Sequence, residues 1–174
     1  MNAQTIRRSI LPMLGAGALL WVAAPASQAT EHFEKHFPVK GHPVVCIHNI
    51  GDGRIEVKSS KNQEVIVAGT AASKKVVLET EAPGDRIDVS PVVVDASAQP
   101  GELEVNFQLT VPEETELELK TQTGLIYVEQ VIGDMTLQSV AGDIHLKEVS
   151  GYIVVRTMHG SLVCAQSVAV AHWA

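Results

Sequence analysis

The sequence contains few aromatic residues, few cysteines and a minority of basic side chains. Of its 174 residues, 4% are aromatic and two are cysteine, and 13 lysines and arginines stand against 20 acidic residues, giving a formal charge of −7. Two cysteines are too few for a disulfide scaffold or a cysteine-ligated zinc site. The acidic balance argues against nucleic-acid binding, which needs a basic surface. A hydrophobic content of 45% is too high for a disordered chain, so we expect one folded domain.

Residues 1–29 have the pattern of a secretory signal peptide. Arg7 and Arg8 precede an apolar stretch at residues 10–24, and small residues at positions 27 and 29 form a cleavage site. We expect cleavage before Thr30 and export to the periplasm, the cell surface or the medium, with no transmembrane segment left after cleavage. The arginine pair fits a Sec signal and a twin-arginine signal alike, so the export route stays open.

A nonapeptide repeat occupies residues 121–168. Five glycines recur every nine residues, and apolar side chains follow most of them at offsets of two, four and seven. The glycines are Gly124, Gly133, Gly142, Gly151 and Gly160. The first two apolar sets are Ile126, Met135, Ile144, Ile153 and Leu162, then Val128, Leu137, Leu146, Val155 and Cys164. The third set is Val131, Val140, Val149 and Met158, and it breaks at Ser167.

These offsets predict short strands whose apolar faces stack into an all-β solenoid. Positions two and four residues after the glycine alternate with polar neighbours and therefore share one strand face. One nonapeptide cannot bury its own apolar face, so successive units must stack. Whether a coil contains one nonapeptide or two is left open. Calcium-binding repeats also have a period of nine, but here each unit has one glycine, and aspartate follows it only at Asp134 and Asp143.

The first half of the mature chain also predicts strands, without the nine-residue period. Residues 103–111 alternate apolar and polar side chains most regularly, and residues 82–85 and 96–101 are predicted loops. The expected organisation is a tail at 30–42, a less regular β region at 43–120, the repeat solenoid at 121–168 and a tail at 169–174.

Four segments resemble a bacterial putative adhesin family of exported β-strand-repeat domains of unknown function. They are residues 33–39, residues 49–57, the strand end at 109–112, and the Gly-Asp-Ile-type repeats at Gly133 and Gly142. The resemblance covers about residues 31–168 and implies a stacked β-solenoid, an adhesive role assigned largely by analogy, and no catalytic residues to transfer. The tail departs from the family pattern: Trp173 is either a hydrophobic lid or a sign of a truncated repeat array.

No catalytic, cofactor or metal site is predicted. His32 and His36 are spaced by four, but Phe33 stands where the zinc-protease motif needs glutamate. Cys46 and Cys164 are expected to remain free thiols, with Cys164 pointing inward.

We therefore expect a non-enzymatic protein that binds an unknown protein or polysaccharide at the cell envelope through an outward face, without nucleic acid. The candidate face comprises Tyr127, Glu129, Gln138, His145, Lys147 and Arg156. The alternatives are a periplasmic structural or sensing component with a protein partner, and a polysaccharide-active β-helix enzyme.

Overall fold

The computed structural model describes residues 30–166 and 168–173, and for 168–173 the backbone alone. The predicted signal peptide and Ser167 lie outside the described residues. Fourteen strands are described: β1 Glu31–Pro38, β2 Val44–Asn49, β3 Ile55–Ser60, β4 Glu64–Ala71, β5 Val76–Glu81, β6 Arg86–Val93, β7 Val105–Pro112, β8 Glu116–Thr123, β9 Ile126–Glu129, β10 Met135–Ala141, β11 Ile144–Lys147, β12 Ser150–His159, β13 Leu162–Ala165 and β14 Val168–Trp173.

The helical content of the described chain is one 3₁₀ turn at Pro100–Glu102, so the all-β prediction is confirmed. No helix in the described part of the chain is long and apolar enough to cross a membrane.

The strands form two open sheets of seven strands each. Sheet A has the order β1-β4-β7-β3-β9-β11-β13, and sheet B has the order β14-β12-β10-β8-β2-β6-β5. Buried side chains from both sheets form one hydrophobic cluster. The sequence-defined regions 43–120 and 121–168 share both sheets, because β3 pairs with β9 and β8 pairs with β10.

Parallel pairing with a constant offset of 18 residues organises the repeat region. Ile144 of β11 pairs with Ile126 on one side and with Leu162 on the other, all in sheet A. Met135 pairs with Ile153 in sheet B at the same offset. Consecutive nonapeptides therefore alternate between the two sheets. Each strand pairs with the strand of the nonapeptide two units further along the chain.

The inward positions follow this 18-residue alternation. Side chains two and four residues after the first four glycines are buried, as predicted. At the seventh position, Val131 and Val149 are buried, whereas Val140 and Met158 are 48% and 74% exposed. The prediction that every seventh position points inward is therefore wrong for two of the four. The nonapeptides that supply strands to sheet A and those that supply strands to sheet B turn differently after the strand.

Close contact between backbones explains why glycine recurs at these positions better than a positive φ angle does. Gly124 has a φ of +105°, but Gly142 is outside the left-handed region. A Cβ on Gly142 would overlap the carbonyl oxygen of Gly124, its neighbour 18 residues earlier. The glycine column thus allows successive backbones to touch at one corner.

Both predicted tails contain strands. Residues 31–38 form β1, which pairs antiparallel with β4. The ring of Phe33 packs edge-to-face on buried Phe107, with centroids 5.8 Å apart. Residues 168–173 form β14, which pairs parallel with β12; the side chain of Trp173, the predicted lid, lies outside the described part.

Candidate functional site

Four of the six candidate residues lie on the outer face of sheet A. Tyr127 and Glu129 lie on β9, and His145 and Lys147 lie on the neighbouring β11. All four alternate with buried residues of the same strands, so they face away from the core. Register pairs Tyr127 with His145 and Glu129 with Lys147.

Glu129 is the centre of the polar contacts on this face. Its carboxylate accepts hydrogen bonds from Lys147 Nζ at 2.5 Å and from Tyr127 Oη at 3.1 Å. The Lys147 bond, followed by the Tyr127 bond, lowers the pKa of Glu129. On the adjacent strand β3, Lys58 Nζ lies 2.8 Å from Glu56. These contacts pair the charged side chains of this face with one another.

The register of sheet A arranges the outer side chains in two rows that cross five strands. The first row contains Gln108, Glu56, Tyr127, His145 and Val163. The second contains Thr110, Lys58, Glu129, Lys147 and Ala165. With neighbouring strands about 4.8 Å apart, each row is about 19 Å long. We call these two rows the sheet A ladder.

The other two candidates, Gln138 and Arg156, lie on sheet B. They are register partners on β10 and β12, and Gln138 is also the register partner of Lys120 on β8. With exposed Val140 and Met158 they line a shallow groove of about 400 Å³. The six candidates therefore do not form one face: the structure divides them four and two between the sheets.

A second polar cluster on the outer face of sheet B was missed in the sequence. Glu118 accepts a hydrogen bond from Lys120 Nζ at 2.6 Å and one from Cys46 Sγ at 3.6 Å. Arg86 binds both carboxylate oxygens of Asp88 at 2.9 Å. The cluster combines residues from three strands that are distant in sequence, and no local motif marks it.

This cluster covers the Cys46 thiol. Cys46 is 1% exposed although its strand position faces outward, and burial raises the pKa of its thiol to about 12. The predicted free thiols are confirmed for both cysteines. Cys164 is the register partner of buried Leu146, so its strand position faces inward as predicted, but it is exposed because β13 is the last strand of sheet A in the described chain.

The spaced histidines lie on strand β1. His36 Nε2 lies 2.7 Å from Glu34 and its Nδ1 lies 3.2 Å from Glu64. In the described residues, no group of three or more histidine, cysteine, aspartate or glutamate side chains is arranged to hold a metal ion.

A surface cavity of about 680 Å³ is lined by residues around the ends of β1, β3 and β7. Its lining includes Lys40, His42, Lys61 and Glu114, and His42 Nδ1 lies 3.1 Å from the Glu114 carboxylate. None of the six candidate residues contributes to it.

No family model and no curated protein matches the chain. Among solved structures, a "putative cell adhesion protein" from Clostridium sporogenes has a TM-score of 0.42 and 9% identity, over 83% of this chain and 98% of the other. A "putative adhesin" from Bacteroides fragilis has a TM-score of 0.32 and 7% identity, over 84% and 99%. Both TM-scores are low and both identities are below 10%. The adhesin family therefore stays a prediction.

Proposed function

We propose that the two sheets are the walls of one β-solenoid with two nonapeptides per coil. The constant 18-residue offset in both sheets supports this, as do the left-handed residues Gln130, Glu148 and Gln166, which recur at the same interval. In such a coil the first nonapeptide supplies a strand to sheet A and the second supplies one to sheet B.

We further propose that the protein is an exported, non-catalytic scaffold of adhesin type that binds an envelope partner through the sheet A ladder. The observation that carries the proposal is the ladder itself. It holds four of the six candidate residues in two rows across a rigid sheet, so an extended protein or polysaccharide can contact several strands at once. A surface fixed before binding loses little side-chain freedom when the partner arrives.

The charge state of the central carboxylates argues against their use as the acid of a glycoside hydrolase. A glycosidase acid needs a raised pKa so that it can give up a proton near neutral pH. Hydrogen bonds from lysine instead lower the pKa of Glu129 on sheet A and of Glu118 on sheet B. Both are therefore carboxylates suited to ion pairing.

Binding to isolated envelopes tests the proposal and identifies the sheet responsible. Labelled protein is titrated onto envelope preparations from the producing cells, as wild type, as Tyr127→Ala with His145→Ala, and as Gln138→Ala with Arg156→Ala. We expect the sheet A pair to weaken binding at least about tenfold, a change of 1.4 kcal/mol. The sheet B pair is the matched control and is expected to bind like wild type.

Loss of binding in the sheet B pair alone would overturn the assignment to the sheet A ladder. Absence of binding by the wild type, together with recovery of one stoichiometric periplasmic protein, would replace adhesion by a structural or sensing role.

A further inference from the structure

Three connections between strands line the cavity of about 680 Å³. They are the link from β1 to β2, the turn from β3 to β4 and the turn from β7 to β8. The volume lies within the range of small-molecule binding sites, roughly 300–1,000 Å³. No residue of the sheet A ladder lines this cavity. The cavity is therefore a separate place at which a small ligand could bind.

The backbone of this lining is tied to buried residues. Val39, which is 4% exposed, donates its backbone N–H to the carbonyl oxygen of Gln63 at 3.2 Å and so joins the first connection to the second. In the third connection, the hydroxyl of Thr115 donates to the carbonyl oxygen of Pro112 at 2.8 Å, and Thr115 is 1% exposed. The walls of the cavity thus belong to the folded framework.

Two lysines of the lining lack the partners that the other lysines have. The chain has eight lysines, all within the described residues. Lys35 donates a hydrogen bond to Thr80. Five others form ion pairs with glutamate: Lys58, Lys74, Lys75, Lys120 and Lys147. The remaining two are Lys40 and Lys61, whose ammonium groups contact no described residue, and both line the cavity.

Glutamates on the same lining limit the ligands that these ammonium groups accept. Glu114 already has a partner, because its carboxylate lies 3.1 Å from His42 Nδ1. The Glu113 carboxylate contacts no described residue. Two ammonium groups and one carboxylate leave one net positive charge. A single carboxylate on the ligand complements that charge, whereas a phosphate dianion would add a second negative charge near Glu113. Glu113 can accept hydrogen bonds from neutral hydroxyl groups instead.

We propose that this cavity binds a saccharide that carries one carboxylate, such as a uronic acid residue. Lys40 and Lys61 pair with the carboxylate of the sugar, and Glu113 accepts hydrogen bonds from its hydroxyl groups. The inference is independent of the sheet A ladder, so either site can fail its test without the other.

Titration of the purified, isotope-labelled protein followed by two-dimensional NMR tests the proposal. The probes are glucuronate, neutral glucose, a glucose phosphate, and dialanine as a zwitterion. We expect glucuronate to give saturable shifts centred on residues 39–42, 60–63 and 112–114. Glucose, the phosphate and dialanine should bind at least about tenfold more weakly, since none of them matches the one net positive charge and the free carboxylate together.

Variants separate the cavity from the general charge of the protein. Lys40→Gln with Lys61→Gln should weaken glucuronate binding at least about tenfold, because the sugar carboxylate loses both partners. Lys35→Gln with Lys74→Gln removes the same charge outside the cavity and should bind like wild type. Glu113→Gln should strengthen binding of the glucose phosphate at least about tenfold, because it removes the repelling carboxylate.

Several results would overturn the proposal. They are the absence of saturable glucuronate binding, shifts centred on the sheet A ladder, and equal weakening by the two lysine pairs. Tighter binding of the phosphate or of dialanine by the wild type would overturn the assignment to a carboxylated sugar. Unchanged phosphate binding in Glu113→Gln would do so as well.

Discussion

At the scale of single residues, the glycine column shows how closely successive strands approach. Gly142 lies against the Gly124 carbonyl, whereas Gly101 has open space around the position of a Cβ. Neither residue has a left-handed φ, so alanine substitution at the two positions compares close contact with free space.

We predict that Gly142→Ala lowers the free energy of unfolding by about 1–3 kcal/mol, because the backbone of one strand must move. Gly101→Ala is expected to change it by less than about 0.5 kcal/mol. Urea denaturation of both variants measures the difference. Equal stability would mean that the corners are looser than described.

The two thiols should differ in reactivity. Cys46 lies beneath Glu118 and the Arg86–Asp88 pair, with a thiol pKa of about 12, while Cys164 is exposed. Because the thiolate is the reactive form, a thiol reagent at pH 8 should modify one cysteine per chain in the native protein and two in denaturant. Mass spectrometry should locate the native modification at Cys164. Rapid modification of Cys46 in the native protein would contradict the buried cluster.

His36 should stabilise the pairing of β1 with β4 in a pH-dependent way. Hydrogen bonds that the His36 ring donates to the carboxylates of Glu34 and then of Glu64 raise its pKa above 6.5. A raised pKa in the folded state means that its stabilising contribution is complete below the unfolded pKa and is lost as pH rises through the folded pKa.

NMR titration of the imidazole should therefore give a pKa above 6.5 in the wild type and a lower value in Glu34→Gln. The Glu64→Gln variant should show a smaller decrease. An unchanged pKa in both variants would show that the contacts do not persist in solution.

At the scale of strands, the burial of the residue seven positions after each glycine distinguishes an 18-residue repeat from a nine-residue repeat. Val149 is 1% exposed and Val140 is 48% exposed, although the sequence pattern treats them alike. We predict that Val149→Ala lowers the free energy of unfolding by about 1.5–3 kcal/mol, while Val140→Ala changes it by less than about 0.5 kcal/mol. Denaturant unfolding measures both. Similar losses would favour a coil with one nonapeptide.

The strands of the repeat could be predicted from sequence because their apolar alternation is local. The turns that follow β9 and β11 could not be predicted, because their left-handed positions are occupied by Gln130 and Glu148, residues that do not mark such a turn. The sequence does not predict strand β1, because β1 pairs with β4 and its Phe33 packs on Phe107, and both contacts join distant parts of the chain.

At the scale of the whole molecule, the 18-residue offset explains why the six candidate residues are divided between sheets A and B. Outward positions were predicted correctly as positions on a strand, but neighbouring nonapeptides contribute to opposite sheets. Thus Tyr127 and His145, two units apart, lie side by side, while Gln138, in the unit between them, faces the other way. The sequence could not reveal this without the number of nonapeptides per coil.

Protease treatment of intact producing cells shows whether the protein is exported and lies where it can bind at the envelope. Cells are treated with protease, then the medium, the periplasmic fraction and the remaining cells are probed for the chain, and its first residue is determined. We expect a chain that begins at Thr30 and is either digested on intact cells or recovered from the medium. An unprocessed chain that stays protected in the cytoplasm would contradict export, and a processed chain protected until the outer membrane is opened would contradict adhesion.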